Sequence, residues 1–163
     1  MRLFDLPTVY RAEVVPAWID YNGHMTEYSY NYVFAEAVTA FMEEMDIGSA
    51  YLARTGHTAY TAEHHVTFRS EVKLGARLSV TFRVLAFSRN SIQMYGEMDG
   101  PDGRIAAAYE SLTLHVRQGE GSARVVPFPE ADMPVLSELK RRSDLLAPPR
   151  LTIDKVRIRS RLS

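Results

Sequence analysis

The sequence predicts an α+β domain in which an antiparallel sheet lies across one long helix. Three observations predict it. Only the segment from Tyr30 to Met45 carries strong helical periodicity, strand-like runs follow it one after another, and the connections between them are hairpin-like turns. A lone helix that loops so short cannot enclose has to rest on one sheet face, with the sheet curling around it.

Each element has its own justification. Val9 to Pro16 has strand composition, and Pro16 ends the run. Apolar side chains then recur at Tyr30, Val33, Phe34, Ala37, Val38, Phe41, Met42 and Met45, the stripe of a helix of roughly four turns. Asp46-Ile47-Gly48 supplies a glycine where that helix should stop. Tyr60 to Phe68 alternates, placing Tyr60, Ala62, His64, Val66 and Phe68 on one expected face and Thr61, Glu63, His65 and Thr67 on the other. Leu78, Val80, Phe82 and Val84 share a parity, and Ser88 to Ser91 forms a tight connection to Ile92, Met94, Gly96 and Met98. A second turn at Asp99 to Gly103 leads into the longest strand, Arg104 to Arg117, whose expected apolar side holds Ala106, Ala108, Leu112, Leu114 and Val116. From about residue 127 prolines interrupt the chain, so a poorly defined C-terminal extension is expected, with at most a short helix across Pro134 to Leu146. Its end is basic, with Arg150, Lys155, Arg157, Arg159 and Arg161 against Asp154.

Bulk composition narrows the function. At 163 residues the chain is expected to form a single domain spanning 1–163. A hydrophobic fraction of 46% with 24% charged residues is that of a globular protein, and a net charge of -1 gives no reason to expect nucleic acid or a membrane surface as partner. Cysteine is absent, which removes disulfides, thiolate metal sites and cysteine nucleophiles and fits a reducing compartment. Asp5 and Pro7 interrupt the apolar run that a secretory leader would need, so a cytoplasmic location is expected. His57, His64, His65 and His115 lack helical metal-ligand spacing, and no metal site is expected.

The densest polar cluster is WIDYNGHMTEYSY, Trp18 to Tyr30, immediately ahead of the helix. Asp20 and Asn22 there suit an Asx-turn. Asp20 also lies near the unsatisfied N–H groups of a helix N-terminus, whose dipole favours developing negative charge. Carboxylate and donors together are what acyl transfer requires, one to attack or activate water and the other to stabilise the oxygen.

This motif, D-Y-N-G-H-M-T-E at Asp20 to Glu27, together with Y-T-A-E-H-H at Tyr60 to His65 and A-Y-E-S-L-T-L-H-V at Ala108 to Val116, resembles the hotdog-fold acyl-CoA thioesterases of the 4-hydroxybenzoyl-CoA thioesterase type. Within them it is similar to the branch of betainyl-CoA thioesterases and the thioesterase domains fused to L-carnitine dehydrogenases. The resemblance covers roughly Val9 to Arg117. It implies a sheet wrapped around the helix, a homodimer joined sheet edge to sheet edge or a dimer of such dimers, and active sites between the chains. It implies no cofactor beyond the coenzyme A of the substrate, and it casts Asp20 as nucleophile or base with an amide of Thr26, Glu27 or Tyr28 polarising the carbonyl.

Other residues carry alternatives. Histidine is the residue type that ionises near neutral pH, and His24 either moves a proton or orients Asp20 or caps the loop, while Asn22 either positions water or holds the loop. Glu63 either lies on a solvated strand face or forms a second carboxylate in the acyl pocket, as base or as counter-charge to a cationic acyl group. Glu110 falls on the expected apolar side of its strand, so it must be paired or protonated. Trp18, Tyr21, Tyr28, Tyr30 and Tyr60 offer ring faces that attract quaternary ammonium, and Tyr30 serves equally as core. Arg89, with Arg54, Arg69 and Lys73, is a candidate for coenzyme A phosphates. Two rival functions share the fold: an acyl-CoA-binding protein without catalysis, and an enoyl-CoA hydratase. The hydratase motif has four residues between Asp and His, whereas three separate Asp20 from His24.

Overall fold

The structure, a computed structural model, describes residues 8–119 and 121–151 together with 156 and 158. Its strands are β1 (Thr8–Glu13), β2 (His57–Phe68), β3 (Arg77–Phe87), β4 (Ser91–Asp99), β5 (Ile105–Arg117) and the short β6 (Arg124–Val125). Its helices are α1 (Glu27–Glu44), α2 (Ser49–Thr55) and α3 (Met133–Asp144). All pairings are antiparallel, in the order β1-β3-β4-β5-β2, with β6 added to the end of β5. The expected α+β architecture is therefore observed: the chain leaves β1 at one sheet edge, lays α1 over the sheet, and enters β2 at the other edge.

The buried stripe of α1 is Ser29, Tyr30, Val33, Phe34, Ala37, Phe41 and Met42. Phe34 stacks on Tyr109 of β5 with centroids 5.0 Å apart, and Phe41 stacks on Phe82 of β3 at 5.6 Å. Truncating either ring would cost on the order of 3–5 kcal/mol. Leu78, Val80, Phe82 and Val84, with Ile92, Met94 and Met98, complete this core as their parity predicts.

Three local expectations are corrected. Asp46-Ile47-Gly48 does not simply end a helix, because the chain turns at Asp46 with φ 57° and re-enters a helix, α2, for which Gly48 is the N-cap. Only Tyr51 of α2 is buried, so seven residues gave no apolar period to detect. In β5 the side facing α1 is that of Tyr109, Ser111 and Thr113, since Tyr109 meets Phe34 and pairs with Gly96 beneath Phe82. Ala108, Glu110 and Leu112 face away. In β2 a bulge between Thr61 and Glu63 reverses the alternation. Thr61, paired with Thr113, therefore shares the helix side with His64 and Val66, and Tyr60 joins Glu63 on the other side.

The segment beyond residue 127 covers that far side. Ser143 of α3 accepts the N–H of Val84 at 3.0 Å, and Arg83 donates to the Ala147 carbonyl at 2.6 Å. Arg150 pairs with the buried Glu97 and with Asp99. Glu110, 1% exposed, accepts from Gln93 at 2.7 Å, and the same amide reaches the Val156 carbonyl. Only Arg150 of the basic end falls among the described residues; Lys155, Arg157, Arg159 and Arg161 lie outside them.

Candidate active site

The turn that carries Asp20 closes on itself before α1 begins. Ile19 and Met25 bridge, the Asp20 N–H donates to the His24 carbonyl at 3.0 Å, and the Gly23 N–H donates back to the Asp20 carbonyl at 3.0 Å. Gly23 has φ +77°, a conformation that glycine adopts without steric cost. The Asp20 side chain accepts from Asn22 twice, at Oδ1 from the backbone N–H (2.8 Å) and at Oδ2 from the side-chain amide (3.3 Å). The Asx-turn is real, and it fixes both carboxylate oxygens.

Two further hydrogen bonds brace this turn. The Thr26 N–H donates to the Trp18 carbonyl at 2.8 Å, and the Met25 N–H donates to the Val72 carbonyl at 2.8 Å. The Thr26 amide is thus already engaged, and among the described residues no acceptor takes the Glu27 or Tyr28 N–H. Those two helix-start amides are the ones able to receive an oxyanion. Thr26 instead contributes its hydroxyl to Ser29 at 2.8 Å.

His24 does not reach toward Asp20 with its Nε2. That nitrogen lies 2.9 Å from Glu71 Oε2, on the connection between β2 and β3. Glu71 had no sequence signal beyond its place in a polar loop, and only the close approach of that loop to the Asp20 turn reveals it.

The structure gathers Asp20, Asn22, His24, Trp18, Thr26, Glu27 and Tyr28 around the start of α1. Trp18 packs against Tyr32 at 5.6 Å, and Tyr28 is exposed. The remaining candidates lie elsewhere in this chain. Glu63 is exposed on β2, and the bulge puts it on the side away from α1. Tyr60 shares that side, its hydroxyl accepting from Gln118 at 3.1 Å. Arg89 sits in the β3–β4 turn, at the opposite end of β3 from the Asp20 loop, a separation of roughly 30 Å at a strand rise of about 3.3 Å per residue. Arg54 pairs with Asp46 at 3.4 Å. Tyr30 is core, its hydroxyl donating to the Ser70 carbonyl at 3.2 Å.

Three spaces flank α1, one of them a hollow of about 670 Å³ lined by Thr26, Glu27, Tyr28, Asn31, Tyr32 and Ala35. A groove of about 360 Å³ is lined by His24, Met25, Glu27, Tyr30, Phe68, Arg69, Ser70 and Glu71. A larger hollow of about 660 Å³ runs along β2, between Val38 and Met42 of α1 and Thr61, His64 and Tyr109 of the sheet. Of the three, only the smaller groove borders both the Asp20 turn, through His24 and Met25, and Glu27, and for that reason it is the candidate reaction site.

A curled antiparallel sheet around one helix, with a carboxylate at the helix start, defines the hotdog class. Residues 14–139 match the family model described as the thioesterase-like superfamily, and the chain belongs to that family. It is 35% identical over 136 residues to an L-carnitine dehydrogenase/betainyl-CoA thioesterase of Agrobacterium fabrum, covering 83% of this chain and 28% of that protein. The chain thus spans about a quarter of the length of that relative. With the betainyl-CoA thioesterase of Pseudomonas aeruginosa it shares 34% identity over 134 residues, 76% of this chain and 84% of the relative. Among solved structures, a putative thioesterase from Pseudomonas putida superposes with a TM-score of 0.77 at 25% identity, covering 96% of this chain and 97% of the other. A hypothetical protein from Staphylococcus aureus in complex with CoA gives 0.78 at 21% identity, covering 95% and 93%, a likeness of fold.

Proposed function

We propose that this protein is an acyl-CoA thioesterase that hydrolyses a small acyl-CoA, with betainyl-CoA as the substrate. The observation that carries the reaction is the placement of Asp20, a carboxylate held by Asn22 immediately ahead of a helix start with two unengaged amides. In the reaction the thioester oxygen takes hydrogen bonds from the Glu27 and Tyr28 N–H groups as charge develops on it. Asp20 either takes a proton from water as the water oxygen attacks the carbonyl carbon, or attacks that carbon itself to give an acyl anhydride that water then hydrolyses; in both routes the C–S bond breaks and coenzyme A leaves as the thiolate. His24 and Asn22 keep this turn in register. The substrate assignment draws on the two betainyl-CoA thioesterase relatives.

The reading includes a homodimer and a cytoplasmic setting, and it invokes no resident metal or redox cofactor. β2 ends the sheet with twelve residues whose outer edge is unpaired among the described residues. A long unpaired edge invites a second copy. Joined there, Tyr60 and Glu63 would lie at the seam, where the partner's site could use them. No helix among the described residues is long and apolar enough to cross a membrane.

The test is free-thiol release from betainyl-CoA by the wild type and by Asp20→Ala, with circular dichroism and light scattering confirming equal fold and assembly. Loss of turnover by at least about a hundredfold is expected for removal of a catalytic carboxylate. Undiminished release by the variant would leave a binding protein and end the catalytic reading.

A further inference from the structure

The acyl group proposed above puts an unusual demand on the site. In betainyl-CoA the trimethylammonium nitrogen is one methylene from the reacting carbonyl. Whatever recognises the cation must therefore border the carbonyl's own donors. Glu63 and Tyr60 do not meet that demand in this chain, because the β2 bulge turns them to the side away from α1.

The groove beside the Asp20 turn does meet it. Glu27, whose N–H is one of the open amides, is part of its wall, together with Glu71 and the rings of Tyr30 and Phe68. Those rings meet edge to face with centroids 5.2 Å apart, and Phe68 remains 45% exposed although apolar. Tyr30, 5% exposed with its hydroxyl on the Ser70 carbonyl, backs Phe68 from the core and leaves the Phe68 ring as the aromatic surface offered. Glu71 uses Oε2 to hold His24 and keeps its carboxylate at the groove. Two carboxylates, Glu27 and Glu71, line it beside one guanidinium, Arg69. Carboxylates combined with an open aromatic face suit a quaternary ammonium, which has no hydrogen to donate and is held by charge and ring faces.

We infer that Glu71, with the exposed ring of Phe68, forms the subsite that holds a cationic trialkylammonium head of the acyl group beside the reacting carbonyl. This rests on the betainyl-CoA reading. Glu71 thereby sets specificity, and Asp20 does the chemistry.

The experiment compares betainyl-CoA with 3,3-dimethylbutanoyl-CoA, its neutral isostere in which carbon replaces the nitrogen. The wild type should favour the cationic ester in kcat/KM. In Glu71→Gln, which keeps an acceptor for His24, that preference should fall at least tenfold, and Glu71→Asp should restore part of it. Phe68→Leu should reduce it by a smaller factor, about threefold, since only one ring face is lost. If Glu71→Gln slows both esters equally, Glu71 merely supports the loop and the inference is overturned while the substrate reading stands. If the wild type itself shows no preference for the cationic ester, the substrate reading falls and takes this one with it.

Discussion

Gly96→Ala should destabilise the protein even though the backbone there suits any residue. Gly96 lies in β4 opposite Phe82 and is absent from the residues with positive φ, so its backbone is ordinary strand. At such a position alanine usually stabilises by up to about 1 kcal/mol, because it restricts the unfolded chain. Here a Cβ would stand 2.7 Å from two carbons of the Phe82 ring. Ordinary carbon contacts lie at about 3.5–4.0 Å, so ring or strand must retreat by roughly 1 Å. Phe82 is 1% exposed and has nowhere to go, with Phe41 stacked at 5.6 Å and Phe34 and Tyr109 meeting it edge-on at 6.4 and 5.8 Å. Overpacking of this kind costs about 1–3 kcal/mol, which outweighs the entropic gain and leaves a net loss of about 1–2 kcal/mol. Urea unfolding would read it as a lower midpoint at constant slope. The double variant Gly96→Ala with Phe82→Leu should lose less than the sum of the single changes, since the two share one contact. An unchanged or raised midpoint in Gly96→Ala would refute the argument that this glycine exists to seat the Phe82 ring.

Arg150→Ala should cost about 1–3 kcal/mol in the same assay, because it deprives Glu97, 7% exposed, of its cation, and Arg150→Ala combined with Glu97→Gln should recover part of the loss. His115 is fully buried, and burial pushes its imidazole below the ordinary value, with His57 adding to the shift and the Val126 carbonyl and Asp132 opposing it. With the folded value depressed, the unfolded chain binds the proton first. Stability is then complete above the ordinary imidazole range near pH 6.5 and is lost as pH falls through the depressed folded value, a slope that His115→Gln should flatten in unfolding midpoints measured from pH 7.5 to 5.

How much of this was legible in the sequence depended on whether one period or one turn could carry the information. The α1 stripe and the shared parity of Leu78 to Val84 identified the core because both elements keep a single period against a single neighbour. The Asp20 turn was legible because its Asn and Gly perform local jobs. β5 was misread since both of its faces are buried, one under α1 and the other under the C-terminal segment, so apolar parity could not say which side meets the helix. The β2 reversal was invisible because a bulge leaves the residue types unchanged and shifts only the register. Glu71 belongs to the same class: its meaning arises from two loops meeting, and no spacing within either loop records it.

The site also shows why a turn can serve chemistry better than a flexible loop. Electrostatic stabilisation of a transition state is effective when donors and carboxylate are already in place and need not reorganise as charge moves. Each side of the Asp20 turn has such a restraint. Thr26 is tied to Trp18 across the turn, Met25 to Val72 behind it, and His24 to Glu71 beside it. Asn22 completes the set by holding both oxygens of Asp20. The restraints that use up the Thr26 amide leave the next two, those of Glu27 and Tyr28, unengaged among the described residues, with Glu27 at the groove. On this geometry His24 contributes through its anchor to Glu71, and the residue types that make WIDYNGHMTEY an ordinary turn are the ones that aim Asp20, the carboxylate proposed to do the chemistry.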